Sequence, residues 1–179
     1  VNERQGGNIP SNKANLIEWL LNEYGTEIKR LAFLYVKDQS LTEDILQEVF
    51  ISCYKNIDSF RDESSYKTWL IRITINKCKD SLKRWSFRNL VYRGEIDLVY
   101  DLNSPEKQTV SEAEGQLLMK EVLDLPLKFR EVIILFYYQD MTIDEISKLL
   151  EINQNTVKSR LHRARTKLKG GLVRRGFNG

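Results

Sequence analysis

The sequence is poor in the residues that build metal centres, disulfide frameworks and turn-rich sheets. Its 179 residues include one histidine, His162, and two cysteines, Cys53 and Cys78, which lie far apart and form no Cys-x-x-Cys pair. Such a set cannot assemble an ordinary closed zinc site of the Cys/His kind. No metal and no cofactor is expected. The cysteines read either as a disulfide or as two reduced thiols, the second agreeing with cysteine as a small apolar filler in a reducing compartment. Only 9 Gly and 3 Pro are present, which argues against β architecture rich in turns. The longest apolar run, Val132 to Tyr138, falls far short of the roughly 20 residues that a membrane helix requires. Val1 to Ser11 is polar and holds no apolar stretch of signal-peptide length. A soluble, cytoplasmic protein is the expectation.

What is present suits helices with wet outer faces. Hydrophobic residues make up 41% and charged residues 30%, enough for real cores. Beyond a polar tail over residues 1–13, Leu16, Leu20, Tyr24, Ile28, Leu31 and Tyr35 fall near one helical face. Thr42 resembles the N-cap of a second helix, with Ile45, Val49 and Cys53 as its stripe and Leu46, Phe50 and Ile57 widening it. A third helix is predicted from about Ser64 to Arg84. Its β-branched cluster, Ile71, Ile73, Thr74 and Ile75, admits a few strand residues, but length and the basic end favour helix. An acidic stretch with sparse hydrophobics follows and reads as a linker. Leu118, Val122 and Leu125 then mark another helix. Pro126 opens the next as a first-turn proline, and that helix is predicted to run to about Gln139 as the central core element.

The last helices carry the strongest signal. Thr142-Ile143-Asp144-Glu145 has the form of a capping box, and Ile146, Leu149 and Leu150 follow on one face. After a break at Glu151–Gln154 a new helix is predicted through Lys169, with Val157, Leu161 and Leu168 inward. Two short helices joined by a turn of this length match the helix-turn-helix pattern. The net charge of +3 is too small to name a partner, but its distribution is informative: no acidic residue follows Glu151, while Lys158, Arg160, Arg163, Arg165, Lys167, Lys169, Arg174 and Arg175 do. Like charges at helical spacing repel, so a merely solvated helix normally mixes signs. A basic tail, or a patch for an acidic protein, is the competing reading. The capped scaffold upstream favours duplex DNA, with a log–log salt slope of roughly −5 if about six cations meet phosphates. Gln154, Asn155 and Thr156 can reach base edges, while Arg160 and Arg163 either read guanine or hold phosphate.

Three segments in order carry a resemblance. Residues 42–57, TEDILQEVFISCYKNI, resemble the part of sigma factors that grips the polymerase clamp helices. Residues 59–84, SFRDESSYKTWLIRITINKCKDSLKR, resemble the part that melts and reads the −10 promoter element. Residues 156–168, TVKSRLHRARTKL, resemble the helix that reads the −35 element. The order and the acidic linker are similar to those of the extracytoplasmic-function (group 4) sigma factors of bacterial RNA polymerase. The resemblance implies an all-α chain of two helical domains joined by a flexible acidic linker, the second containing the helix-turn-helix. It divides the chain into a tail at 1–13, a region 2-like domain at 14–88, a linker at 89–114, a region 4-like domain at 115–172 and a basic tail at 173–179.

The implied roles follow position by position. Asp44, Gln47 and Glu48 match the polar face that meets core polymerase; as a plain helix start, such carboxylates are also favoured by the helix dipole. Phe60, Arg61, Tyr66 and Lys67 match the loop that captures a −10 base, Asn76 matches a contact to a flipped base, and Lys79, Lys83 and Arg84, with Arg72 and Lys77, follow the backbone. Trp69 is a stacking platform or a core residue, and Asn76 is either that base contact or a residue that bonds within its helix. Gln154, Asn155, Thr156, Lys158, Ser159, Arg160, His162 and Arg163 match the face toward −35 DNA. Phe136 departs from the pattern, because some relatives carry there an arginine that touches the −35 backbone; that contact is then missing or supplied elsewhere. The implied partners are core RNA polymerase, promoter DNA and an anti-sigma factor, with no small-molecule substrate and no membrane insertion.

Two rival classes remain. A DNA enzyme with a terminal helix-turn-helix requires a carboxylate cluster for metal or a nucleophilic serine with arginines, and neither emerges. A simple repressor fits the second half alone, yet the first half has no α/β alternation of a signal receiver. Catalysis is not expected.

Overall fold

The computed structural model describes residues 12–60, 65–89 and 110–175. Seven α-helices occupy them, and no strand occurs among the described residues: α1 Lys13–Val36, α2 Gln39–Asn56, α3 Tyr66–Asn89, α4 Val110–Asp124, α5 Leu127–Ile133, α6 Ile143–Leu150 and α7 Gln154–Arg174. They belong to two compact units, Val1–Ile96 and Asp97–Gly179.

In the first unit α1, α2 and α3 each pack on the other two. Asn12 caps α1, its side chain accepting from the Ala14 amide at 2.9 Å. The predicted stripe is the buried one: Leu20, Ile28, Leu31 and Tyr35 are wholly enclosed. The start of α2 differs from expectation. Asp38, not Thr42, is the N-cap, accepting from the Leu41 amide at 2.7 Å. Thr42 lies inside the first turn, buried, with its hydroxyl donating to the Asp38 carbonyl at 2.6 Å. A threonine that bonds back along the helix satisfies itself there and does not need the cap position. In α3 the β-branched cluster is helical throughout. Leu70, Ile71, Thr74, Ile75 and Cys78 are buried, a helical rather than an alternating spacing, and Ser65 accepts from the Thr68 amide at 3.1 Å at its start.

The second unit wraps α5 and α6 around the first half of α7, with α4 against the same helix. Helix α4 begins at Val110, inside the stretch predicted as linker. Pro126 is the N-cap of α5 and not its first residue. The single helix expected to Gln139 gives way after Ile133 to a π turn over Ile134–Tyr138, closed by the Gln139 amide on the Ile134 carbonyl at 3.1 Å. Phe129, Val132, Ile133, Ile134 and Leu135 still fill the core. Two charges enter it as well. The Arg130 Nη1 donates to the Leu123 and Leu125 carbonyls at 2.9 and 3.1 Å, satisfying the end of α4.

Candidate nucleic-acid and protein interfaces

The helix pair α6–α7 is built from local chemistry. The capping box is present as read from the sequence: the Thr142 hydroxyl accepts from the Glu145 amide at 3.3 Å, and the Glu145 carboxylate accepts from the Thr142 amide at 2.7 Å. Such a cap is worth about 1 kcal/mol. Glu151 ends α6 in the left-handed region, φ 55°. The Ile152 amide then bonds the Ser147 carbonyl at 3.1 Å, and the Ser147 hydroxyl donates to the Ile152 carbonyl at 2.6 Å. Asn153 caps α7 by accepting from the Thr156 amide at 2.7 Å. Three successive side-chain locks therefore fix the turn, and Val157, Leu161 and Ala164 seat α7 on the core. The helix runs to Arg174, beyond the Lys169 expected.

On α7 the predicted residues divide. Asn155, Lys158, Ser159, His162 and Arg163 are exposed and Thr156 is half-buried. Gln154 is exposed but donates to the Asp144 carboxylate of α6 at 3.0 Å; a hydrogen bond from Lys148, more than this amide, holds Asp144 below the usual carboxylate range. Arg160 stands apart. Its Nη1 lies 2.9 Å from the Glu131 carboxylate, whose side chain is only 6% exposed. At 100° per residue Arg160 lies on the shoulder of α7 turned toward α5, so its guanidinium anchors the helix and does not project with Arg163. Sequence reasoning missed this pair because it saw the helix containing Glu131 as apolar.

In the first unit, Asp44 and Gln47 are exposed on α2, while Glu48 is half-buried and faces α3, 3.4 Å from the Lys77 ammonium and 3.8 Å from the Arg84 guanidinium. Beside them runs an open apolar groove of about 510 Å³ between α1 and α2, with Ile17, Leu21, Leu46, Gln47, Ile51 and Tyr54 among its walls. Ile51 and Tyr54 lie outside the core stripe of α2 and are more than half exposed. That off-stripe pair is the sequence signal of the groove.

The expected base-capturing residues are already occupied with one another. Phe60 and Tyr66 stack with centroids 4.6 Å apart, and Trp69 tilts against Phe60 at 5.2 Å. Trp19 of α1 meets Tyr66 edge-on at 6.3 Å and Tyr24 at 6.0 Å, so α1 contributes to an aromatic cluster that the sequence placed on α3 and its preceding loop alone. Trp69 is half-buried within it. The Lys67 ammonium pairs with Glu27 at 2.7 Å. Asn76 is exposed on α3. Lys79 is half-buried and engaged, Lys83 lies 3.8 Å from Asp80, and Arg84 also donates to the Ser81 hydroxyl at 3.2 Å. Arg61 lies outside the described residues.

Burial pushes the thiols of Cys53 and Cys78 up to about 12; both are free and enclosed in the first unit, so the disulfide alternative falls. No helix among the described residues is long and apolar enough to cross a membrane.

Comparison with known proteins places these surfaces in context. Residues 20–87 match sigma-70 region 2, and residues 116–168 match sigma-70, region 4. The ECF RNA polymerase sigma factor SigW of Bacillus subtilis is 33% identical over 159 residues, covering 84% of this chain and 85% of SigW. SigM of the same organism, also named an ECF RNA polymerase sigma factor, is 32% identical over 90% of this chain and 98% of its own. Among solved structures, the sigma factor RpoE of Bartonella quintana, crystallised with the anti-sigma factor NepR, superposes with a TM-score of 0.74 at 20% identity, over 87% of this chain and 96% of that one. CnrH, solved with the cytosolic domain of CnrY, gives 0.63 at 21% identity over 91% and 90%.

Proposed function

The chain belongs to the extracytoplasmic-function sigma factors of RNA polymerase, and from that premise we propose that it directs promoter choice through two surfaces, acting in the cytoplasm and catalysing no reaction itself. The first unit docks on core polymerase through Asp44, Gln47 and Glu48 and holds melted −10 DNA along Phe60, Arg61, Tyr66, Lys67, Asn76, Lys79, Lys83 and Arg84. The second unit grips −35 duplex DNA through Asn155, Thr156, Lys158, Ser159, His162 and Arg163, with Gln154 at the edge. Arg160 supports that surface from beneath through Glu131.

One observation carries the reading. α7 is locked at its start by Asn153, backed by an apolar core, and presents exposed Asn155, Lys158, Ser159, His162 and Arg163 on a helix followed by no acidic residue to Gly179. Such a surface repels itself and is relieved where polyanion compensates it, and hydrogen-bonding side chains between the cations allow base edges to be read as well as phosphates.

Mechanism follows from partner exchange. In the first unit the aromatic rings face each other and Glu48 faces Lys77 and Arg84. A captured base takes up ring surface that Phe60 and Tyr66 now give each other, offsetting a few kcal/mol of unstacking. Holding both units on one promoter raises the effective concentration of the second contact, so neither has to bind tightly alone. Control by an anti-sigma factor is part of this reading, since RpoE was crystallised in complex with the anti-sigma factor NepR.

Run-off transcription with core polymerase on a promoter library tests the reading. Start sites that depend on the added chain are expected. Glu48→Lys should weaken association with core polymerase about tenfold while the circular-dichroism spectrum stays unchanged, and a chain that leaves start-site choice untouched would remove the proposal.

A further inference from the structure

Two aromatic residues of the π turn and the middle of α7 meet at one arginine that the sequence assigned no specific contact. Arg165 is exposed, and its Nε donates to the Tyr137 hydroxyl at 2.8 Å. Its guanidinium carbon lies 5.6 Å from the Phe136 ring centroid and 5.5 Å from that of Tyr137. The two rings stand edge to face, 5.0 Å apart. A cation within about 6 Å of a ring centroid is drawn to the ring face, so three contacts hold a side chain that would otherwise sample many rotamers. No carboxylate lies within ion-pair distance of it among the described residues. The one hydrogen bond uses Nε, which leaves the terminal Nη groups to donate elsewhere.

Placement says where. Lys158, Arg165 and Lys169 are all exposed and recur at i, i+7 and i+11, which puts them in a row along one shoulder of α7, about 16 Å long at 1.5 Å per residue. That shoulder borders the face of Asn155, Ser159 and His162. The opposite shoulder carries Arg160, which Glu131 already neutralises. An ordered guanidinium with free donors, beside a reading face and without a counter-ion, matches the fork geometry that recognises a phosphate diester.

We propose that Arg165, held by Tyr137 and Phe136, is a pre-ordered contact to a backbone phosphate of duplex DNA, a fixed grip that reads no sequence. The inference rests on the duplex-binding reading of α7. It also accounts for Phe136, which occupies a position where some members of the resembled family carry an arginine on the −35 backbone. Here the ring supports a guanidinium delivered from α7, so the charge reaches the DNA from the neighbouring helix. Ordering before binding lowers the entropy lost on contact.

The test is equilibrium binding of the full chain to a short mixed-sequence duplex, followed by fluorescence anisotropy from about 50 to about 200 mM salt. Arg165→Ala should bind roughly tenfold more weakly near 100 mM and lose about one unit of log–log salt slope, whatever the duplex sequence. Arg165→Lys should keep the slope while losing part of the affinity. Tyr137→Phe should weaken binding about two- to threefold with the slope unchanged, because it removes the positioning hydrogen bond and no charge. A side chain that merely staples α7 to the π turn behaves differently: Arg165→Ala and Tyr137→Phe would both lower the melting temperature and leave affinity and slope as in the wild type, which overturns the inference. Wild-type binding that is absent or indifferent to salt would overturn the duplex reading and this inference with it. A salt-dependent wild type beside an unaffected Arg165→Ala would overturn the inference alone.

Discussion

The two units handle charge in opposite ways. In the first, cations face carboxylates across helices: Lys67 meets Glu27, Lys29 meets Glu43, and Lys77 and Arg84 share Glu48. Its aromatics likewise cover one another. In the second, the long basic helix has carboxylate partners at its seams, Arg160 on Glu131 and Arg175 on Glu121 and Asp124, while Lys158 and Arg163 stand on its exposed face. The paired cations and rings of the first surface must exchange partners to bind, and the exposed face of the second only has to meet its ligand. This contrast explains why sequence alone pointed to the second: an unbalanced charge run is visible in one dimension, whereas a balanced one looks like any solvated face.

The largest expected effect separates the units by their thiols. Both cysteines lie in the first unit, enclosed, and the sequence places none after Cys78. Thiol labelling at neutral pH therefore reports the opening of the first unit and is blind to the second. Labelling of the folded chain should be at least about a thousandfold slower than in denaturant, since opening a buried core costs several kcal/mol. Alkali should weaken the first unit selectively. With the folded thiols pushed up to about 12 from an ordinary 9.0, the unfolded chain loses these protons first, so stability falls as pH rises from about 9 toward 12. Fast labelling at neutral pH in the folded state would mean that Cys53 and Cys78 are not core residues.

Next in size is the difference between two ion pairs. Arg160→Ala takes away the guanidinium 2.9 Å from the Glu131 carboxylate, which is only 6% exposed, and should cost about 2 kcal/mol in urea unfolding. Glu48→Ala opens two contacts, to Lys77 and Arg84, among side chains 33–55% exposed and should cost no more than about 0.5 kcal/mol. Replacing Glu131 and Arg160 together by Leu and Met should recover part of the loss, because the buried carboxylate is then removed along with its partner. The salt slope of DNA binding sharpens the point: Arg160→Ala should leave it unchanged in the residual folded population, and a slope lowered by about one would return Arg160 to the DNA face.

How much of this was legible depended on range along the chain. The capping box at Thr142–Glu145 and the break at Glu151 rest on contacts a few residues apart, so residue type and spacing reveal them. Val157 and Leu161 were readable as inward because helical period fixes a face once the helix is granted, while Leu168 is only half-buried. The start of α2 was not readable, since Thr42-Glu43-Asp44 imitates a cap while the working cap, Asp38, precedes it by one turn. Arg160 and Arg165 cannot be told apart by type; only Glu131 on one side and the Phe136–Tyr137 pair on the other give them different tasks. The π turn leaves no local mark either: the buried Leu135 and Met141 are joined by a backbone hydrogen bond, 3.0 Å from the Met141 amide to the Leu135 carbonyl, that residue type does not announce. The groove between α1 and α2 needs two helices to exist at all.

The smallest expected effect concerns two adjacent glycines that a sequence treats alike. Both lie within α7, where glycine costs about 1 kcal/mol relative to alanine. Gly170 faces open space, with nothing within 4 Å of an added Cβ, so Gly170→Ala should stabilise by about that amount. Gly171 is buried against α4. An added Cβ there would lie 1.8 Å from the Glu121 Oε2 and 2.6 Å from its Cδ. Glu121 is itself buried and holds Arg175, so making room for the methyl displaces a carboxylate that is already packed and paired. The propensity gain is then outweighed, and Gly171→Ala should destabilise by about 1 kcal/mol in urea unfolding. The two variants differ by one methyl on neighbouring residues, and the opposite signs arise from the α4–α7 seam alone. Equal stabilisation by both would mean that Glu121 does not clamp the end of α7. The fixed carboxylate at that end would then be lost from the contrast between the seams of α7 and its exposed face.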